Sequence, residues 1–200
     1  MKKLGEGGFG AVYLVKKQSG GLEYALKVEA ENDPLGLLKM EVYVLMELKK
    51  TKFEARHFLQ LMDKGTQPGR FHFVVMTLVG KSLQDLRAAA PLKKFSMGTA
   101  ISVGRQCLEA LEDLHNVGIL HRDIKPGNYA IGRKDLNELR KIYMLDFGMA
   151  RKFIKEDGTL RNPRYVIRLY FIQNALRDRN EHILPIKYFK KMLNKREDNI

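Results

Sequence analysis

Within the eight residues His121-Arg122-Asp123-Ile124-Lys125-Pro126-Gly127-Asn128 stand a carboxylate, a cation and an amide, and Asp146-Phe147-Gly148 follows with its aspartate 18 residues beyond Asn128. Asp123 is the type of group that takes the proton of an attacking hydroxyl. Lys125, two residues further on, can neutralise charge on a phosphoryl group in transfer. Asn128 and Asp146 offer the hard oxygen donors that magnesium prefers and could bridge it to a triphosphate. Upstream, Gly5-Glu6-Gly7-Gly8-Phe9-Gly10 has the G-x-G-x-x-G spacing of loops whose backbone closes on phosphates. A proton acceptor, a cation, hard oxygen donors and a glycine loop of this spacing are together compatible with chemistry on a phosphate group.

The glycine motif alone does not choose between folds, because dinucleotide-binding loops share it. Those loops follow a full strand and open a helix. Here only four residues precede Gly5, and the strand-like Ala11-Val12-Tyr13-Leu14-Val15 comes after. The context favours a flap over phosphates between two strands; a glycine-rich turn without a ligand is the alternative reading of the motif by itself. Lys27, in Tyr24-Ala25-Leu26-Lys27, is a cation among apolar strand residues that must snorkel or find an anion. Glu41 falls at helical spacing on the face of Leu37, Leu38, Leu45 and Leu48, where an unpaired carboxylate is expensive. A Lys27 to Glu41 bridge resolves both and sets the ammonium beneath the glycine loop.

The elements that must carry these groups follow from periodicity. Strands are predicted over Ala11 to Lys16 and Leu22 to Glu29, joined by the turn Lys17-Gln18-Ser19-Gly20-Gly21, with Tyr24, Leu26 and Val28 on one face and Ala25 and Lys27 on the other. Asp33-Pro34 predicts a helix start ahead of the apolar run Leu37 to Lys50. Phe71 to Leu78 reads as a central strand, and Ser82 as the cap of a short helix. A longer helix is predicted from near Ser96 to about Val117, with Ile101, Gly104, Leu108, Leu111 and Leu114 on its buried stripe and Gly118 as its stop. Two short apolar stretches, Tyr129 to Gly132 and Ile142 to Leu145, flank the chemistry. Strands with one helix, then mainly helix, with the change near Val79-Gly80-Lys81, predict a two-lobed α+β fold.

Composition narrows the classes. The 200 residues are 44% hydrophobic and 9% aromatic, which excludes disorder and low-complexity architecture. Thirty-six basic against 23 acidic residues leave a net charge of +13, which favours an anionic partner: phosphate, nucleic acid or an acidic protein. Cys107 is the single cysteine, so no intramolecular disulfide and no Cys-rich zinc site can form. His57, His72, His115, His121 and His182 show no metal spacing, and His121 reads as support for the loop that follows it. Glu6 and four glycines break the region where a signal peptide would need an apolar run, and no run is long enough to span a membrane. A cytoplasmic protein is expected, with the nucleus also open.

His121-Arg122-Asp123 through Asn128 and Asp146-Phe147-Gly148 resemble the catalytic and metal-binding loops of protein kinases. From Leu4 to Arg164 the chain closely resembles the casein kinase 1 superfamily and, within it, the tau-tubulin kinase branch. The resemblance rests on Leu38-Lys39-Met40-Glu41-Val42, Phe73-Val74-Val75-Met76, Leu83-Gln84-Asp85-Leu86-Arg87, Leu120-His121-Arg122-Asp123-Ile124-Lys125-Pro126 and Tyr143-Met144-Leu145-Asp146-Phe147-Gly148-Met149-Ala150-Arg151. It implies an ATP- and Mg2+-dependent serine/threonine kinase acting on acidic or pre-phosphorylated protein substrates, as a monomer. It also implies catalytic roles for Asp123, Lys125, Lys27 and Glu41. The implied nucleotide site comprises Leu4, Gly5, Glu6, Gly7, Gly8, Gly10, Val12, Ala25 and Lys27, with Asn128 and Asp146 as metal ligands. Met76 would be its gatekeeper, Thr77 to Val79 the hinge that binds adenine, and Ala130 part of its floor.

Past Arg164 the motifs of that family stop. Tyr165 to Ile200 holds eight basic and four acidic residues and reads either as a solvated helical pair or as the product of an altered reading frame. The expectation is a partial kinase domain over 1–164, with an N-lobe of about 1–79 and a C-lobe from about 80, then a divergent basic tail over 165–200. Activity on proteins is expected to suffer from the missing substrate platform. A non-catalytic nucleotide-binding or interaction fragment of a kinase is the rival reading. A nucleic-acid binder has the charge but no recognisable module.

Overall fold

A computed structural model of the chain describes residues 2–7, 10–51, 56–155 and 157–161. The tail expected from Tyr165 onward lies outside the described residues. Five antiparallel strands form one sheet in the order β1-β2-β3-β5-β4. They are β1 (Lys2–Gly7), β2 (Gly10–Lys16), β3 (Glu23–Ala30), β4 (Leu61–Gln67) and β5 (Phe71–Thr77). The short lead-in before Gly5 is a strand after all: β1 pairs with β2 from Lys2 opposite Leu14 to Gly7 opposite Gly10. β4 has no counterpart in the sequence reading. Its residues are mostly exposed, so the alternation that betrays a half-buried strand is missing, and the pairing with β5 alone makes it one.

β3 lies at the centre of this sheet, with Lys27 opposite Val12 on one neighbour and Val74 on the other. Strand alternation sends Ala25, Lys27 and Glu29 to the same face. Against the sheet packs α1 (Leu37–Lys50), which buries Leu38, Glu41, Val44, Leu45 and Leu48 at three- and four-residue spacing. It begins later than Asp33-Pro34 suggested. The Asp33 carboxylate accepts from the Leu35 N–H at 2.8 Å, which spends this capping residue on a turn, and Gly36 then stands at φ 55° as the N-cap.

The remainder contains α2 (Leu83–Ala89), α3 (Met97–Asn116) and two small antiparallel ribbons. One ribbon pairs β6 (Ile119–Leu120) with β9 (Arg151–Lys152); the other pairs β7 (Tyr129–Ile131) with β8 (Ile142–Met144). Ser82 and Ser96 cap α2 and α3 by accepting from Asp85 and Thr99 N–H groups. The buried stripe of α3 is rotated from the expected one: Gln106, Ala110 and Leu114 are buried, whereas Ile101 and Gly104 are exposed. Gln106 explains the shift. Its amide donates to the Arg140 carbonyl and accepts from the Ile142 N–H, so a polar side chain completes the approach to β8 and belongs inside.

One continuous apolar core joins the sheet side to the helical side, from Ala25, Val44 and Met76 to Leu114, Ile119, Met144 and Phe147. Between the two, the link after β5 is fastened to β7. Gly80 N–H donates to the Ile131 carbonyl at 2.8 Å, and Ile131 N–H donates to the Lys81 carbonyl at 3.1 Å.

Candidate active site

Lys27 is the junction of the cleft. Its Nζ donates to Glu41 Oε2 at 2.6 Å and to Asp146 Oδ1 at 3.0 Å, so strand β3, helix α1 and the loop after β8 meet at one ammonium. Burial pulls the pKa of this lysine down, but the two carboxylates outweigh it and hold it above the ordinary value. Burial likewise pushes Glu41 upward, against the attraction of Lys27. The Asp146 side chain is still 44% exposed, which leaves carboxylate surface open to a cation.

The second cluster is local. A short 3-10 turn over Pro126–Asn128 folds the chain back on itself after Asp123. Lys125 Nζ then reaches Asp123 Oδ2 at 2.7 Å, and Asn128 Nδ2 donates to the same oxygen at 3.0 Å and to the Asp123 carbonyl at 2.8 Å. Both donors converge on Oδ2, which leaves Oδ1 as the oxygen turned to other work. Burial raises the Asp123 pKa, yet the bonds from Lys125 and Asn128 prevail and hold it below the usual carboxylate range. Since the Asn128 nitrogen faces two acceptors, its side-chain oxygen is the atom left for a ligand. Leu145 N–H donates to the Asn128 carbonyl at 2.8 Å, which fixes the residue before Asp146 against this loop.

Support comes from His121 and Phe147. His121 Nε2 donates to the Leu145 carbonyl at 2.9 Å while Nδ1 accepts from the Asp123 N–H at 3.3 Å, a pattern that only the neutral ring can satisfy. Burial lowers its pKa in the same sense. Phe147, fully buried, lies between the tilted rings of His121, 5.2 Å away, and Phe58, 6.0 Å away. Arg122 and Asp146 are two non-glycine residues with left-handed backbone, at φ 70° and 61°. The Arg122 guanidinium donates to the Met149 carbonyl at 2.5 Å, binding the loop to the segment after Gly148.

The other residues singled out by sequence lie on the sheet, on its link to the helical side and in β7; Gly5, Val12, Ala25 and Met76 share the Lys27 face, whereas Glu6 and Thr77 fall on the other. Leu4, Gly5, Glu6 and Gly7 lie in β1, where exposed Glu6 pairs with Lys3. Gly10 and Val12 lie in β2, and Gly8 is outside the described residues. Gly10, at φ 130°, has no room for a side chain: a Cβ would sit 2.1 Å from the Val28 carbonyl oxygen. Ala25 stands opposite buried Met76; Thr77 ends β5, Val79 is half-buried in the link and Ala130 is buried in β7. Lys27 is bonded directly to both Glu41 and Asp146, and Asp123 to both Lys125 and Asn128. A cavity of about 420 Å³ lined by Tyr24, Thr77, Leu78 and Arg133 touches this link but not the Lys27 cluster, since Tyr24 and Thr77 alternate to the opposite face of the sheet from Lys27.

The sequence matches the protein kinase domain family over residues 1–179, past Arg164. The chain belongs to the protein kinase family. A putative serine/threonine-protein kinase of Caenorhabditis elegans is 39% identical over 173 residues, 82% of this chain and 47% of that protein. The serine/threonine-protein kinase spe-6 of the same organism is 38% identical over 165 residues, 82% of this chain and 42% of its own. A probable casein kinase I homolog of Encephalitozoon cuniculi is 36% identical over 160 residues, 79% and 47% of the two chains. The chain therefore spans less than half the length of each of these kinases.

Within this kinase fold the sequence reading missed Phe58, His57 and Arg122 as parts of the site. His57 is buried, shares a hydrogen bond with the Ile142 carbonyl at 2.8 Å and offers its own carbonyl to Met144 N–H. Its signal was weak, because the partners are 85 residues away. Arg122 was legible only as one letter of a motif. Among the described residues no group of three or more His, Cys, Asp or Glu side chains could hold a metal ion, and no helix is long and apolar enough to cross a membrane.

Proposed function

We propose that this chain carries out phosphoryl transfer from Mg-ATP to serine or threonine hydroxyls of proteins. The observation that carries the reading is Lys27, held at once by Glu41 and Asp146. A cation fixed by two carboxylates at the mouth of a glycine-flanked sheet fits phosphate oxygens. Asn128 and Asp146 fit magnesium, which often takes only one or two protein ligands beside substrate phosphates. When bound, it supplies neutralisation of phosphate charge; Asn128 and Asp146 would hold it.

The residues then divide the work. Lys27 binds and orients phosphate oxygens, and Glu41 keeps it from swinging away. Asp123, kept ionised by Lys125 and Asn128, accepts the hydroxyl proton as the hydroxyl oxygen bonds to the γ-phosphorus and the bridge to the leaving diphosphate breaks. Lys125, bonded to Asp123, would offset charge on the moving group. Leu4, Val12, Ala25, Met76 and Ala130 suit the flat apolar faces of adenine, and the backbone of Thr77 to Val79 its edge. The net charge of +13 favours acidic or already phosphorylated protein substrates.

Radiolabelled phosphate transfer from ATP to casein tests the proposal. Incorporation that requires magnesium and falls by roughly a hundredfold or more in Asp123→Asn is the expected result. No transfer, or transfer equal in Asp123→Asn, would refute it.

A further inference from the structure

Glu29 has no part in the machinery above, yet it is 98% buried by its 2% exposure and sits two residues beyond Lys27 on the same face of β3. Its Oε1 accepts from the Leu38 N–H at 3.1 Å. Leu38 lies in the first turn of α1, a turn that lacks its own cap: Gly36 offers no side chain, and no acidic residue stands in that turn. The first N–H groups of a helix need acceptors, and the field there favours a negative charge. A carboxylate delivered from the neighbouring strand supplies both. It does so at a cost, because Glu29 Oε2 is buried with no hydrogen-bond partner among the described residues.

The placement is informative. Lys27 and Glu29 are neighbours on one face of β3, and Leu38 and Glu41 are one turn apart on α1, so the strand grips the helix twice at matching intervals. The Lys27 to Glu41 contact holds α1 at one point, and buried Val44, Leu45 and Leu48 pack the helix beyond it. The Glu29 contact holds the helix start, on the other side of Glu41. We propose that Glu29 is a positioning residue that fixes the rotation of α1 and thereby delivers Glu41 to Lys27.

The test uses the 200-residue chain with Glu29→Ala, Glu29→Asp and Glu29→Gln. Asp shortens the side chain and withdraws the acceptor, whereas Gln keeps an oxygen in place. Amide exchange by NMR reads the Leu38 N–H, and titration with ATP and with adenosine reads Lys27, since only ATP carries phosphates; this second readout rests on the nucleotide-binding reading. Glu29→Ala and Glu29→Asp should exchange Leu38 about tenfold faster, with Val44 to Leu48 unchanged, and should weaken ATP about tenfold relative to adenosine. Glu29→Gln should recover most of both. A lower melting temperature with the ATP-to-adenosine ratio unmoved would make Glu29 merely structural and overturn the proposal. If the parent binds neither ligand, the nucleotide reading fails instead, and Leu38 exchange decides alone: unchanged protection in the variants overturns it. If Glu29→Ala does not fold, Glu29→Asp carries the same two outcomes.

Discussion

Lys27 holds its charge with 17% of its side chain exposed and against a Glu41 exposed by only 3%, whereas Lys125 reaches Asp123 with 55% of its side chain in solvent. The first pair joins a strand to a helix 14 residues away and depends on the whole packing of α1. The second joins residues two apart within a loop and depends on one tight turn. Water screens the second pair, so it adds little to stability. The buried pair is different: Glu41 cannot lose Lys27 without becoming a desolvated, unpaired charge, whereas Lys27 would still hold Asp146. One half of the cleft should therefore answer mutation in folding, and the other in chemistry.

The sharpest way to break that contrast is Asp123→Asn. It should lower phosphate transfer by roughly a hundredfold to ten-thousandfold while shifting unfolding free energy by no more than about 0.5 kcal/mol. Transfer assays beside urea unfolding check it, and a large loss of stability would erase the distinction. Next, Lys27→Met, which strands the buried Glu41 carboxylate, should destabilise the chain by about 3 to 5 kcal/mol, and Glu41→Gln by less, because Lys27 keeps Asp146. The double variant Lys27→Met/Glu41→Leu should recover part of this, because the carboxylate left without Lys27, Asp146, is 44% exposed and no buried charge is stranded. Additive losses in urea midpoints would argue that the pair contributes nothing as a pair.

His121 offers a gentler probe. Its ring is neutral and its folded pKa lies below the ordinary 6.5, so in the window beneath 6.5 the unfolded chain binds the extra proton. The stability this residue contributes is complete above that pH and declines as pH falls through it. Melting temperatures measured from pH 7.5 down to 5 should fall, and the slope should be shallower in His121→Gln. Equal slopes would mean His121 does not titrate with folding. The smallest effect is expected for Lys125→Met. Removing the bond from Lys125 lets the Asp123 pKa rise, so the acid limb of the transfer profile should move to higher pH with stability little changed. An unmoved limb would leave Lys125 without influence on Asp123.

The contrast also explains what could be read from sequence. The loop cluster spans Asp123 to Asn128, so its geometry follows from adjacent letters and a turn containing Pro126 and Gly127. The Lys27 to Glu41 pair was legible for another reason: a carboxylate on an apolar helix face and a lysine on an apolar strand each demand a partner. β4 stayed hidden because its exposed residues carry no alternation, and the pairing that defines it comes from β5. The stripe of α3 was misplaced because hydrophobicity ranked Ile101 above Gln106, whereas Gln106 answers two backbone groups of a segment more than 30 residues away. Glu29 escaped for the same reason. Its partner is a backbone N–H, which no side-chain pattern reveals.

The central claim is that Lys27, Asn128 and Asp146 together form a site for a magnesium-bound triphosphate. Calorimetric titration of the chain with ATP, with and without magnesium, tests it most directly. The account predicts one-to-one binding that strengthens when magnesium is present, with that gain lost in Asp146→Asn. ATP affinity that is the same with and without magnesium, or a magnesium gain that survives in Asp146→Asn, would contradict it.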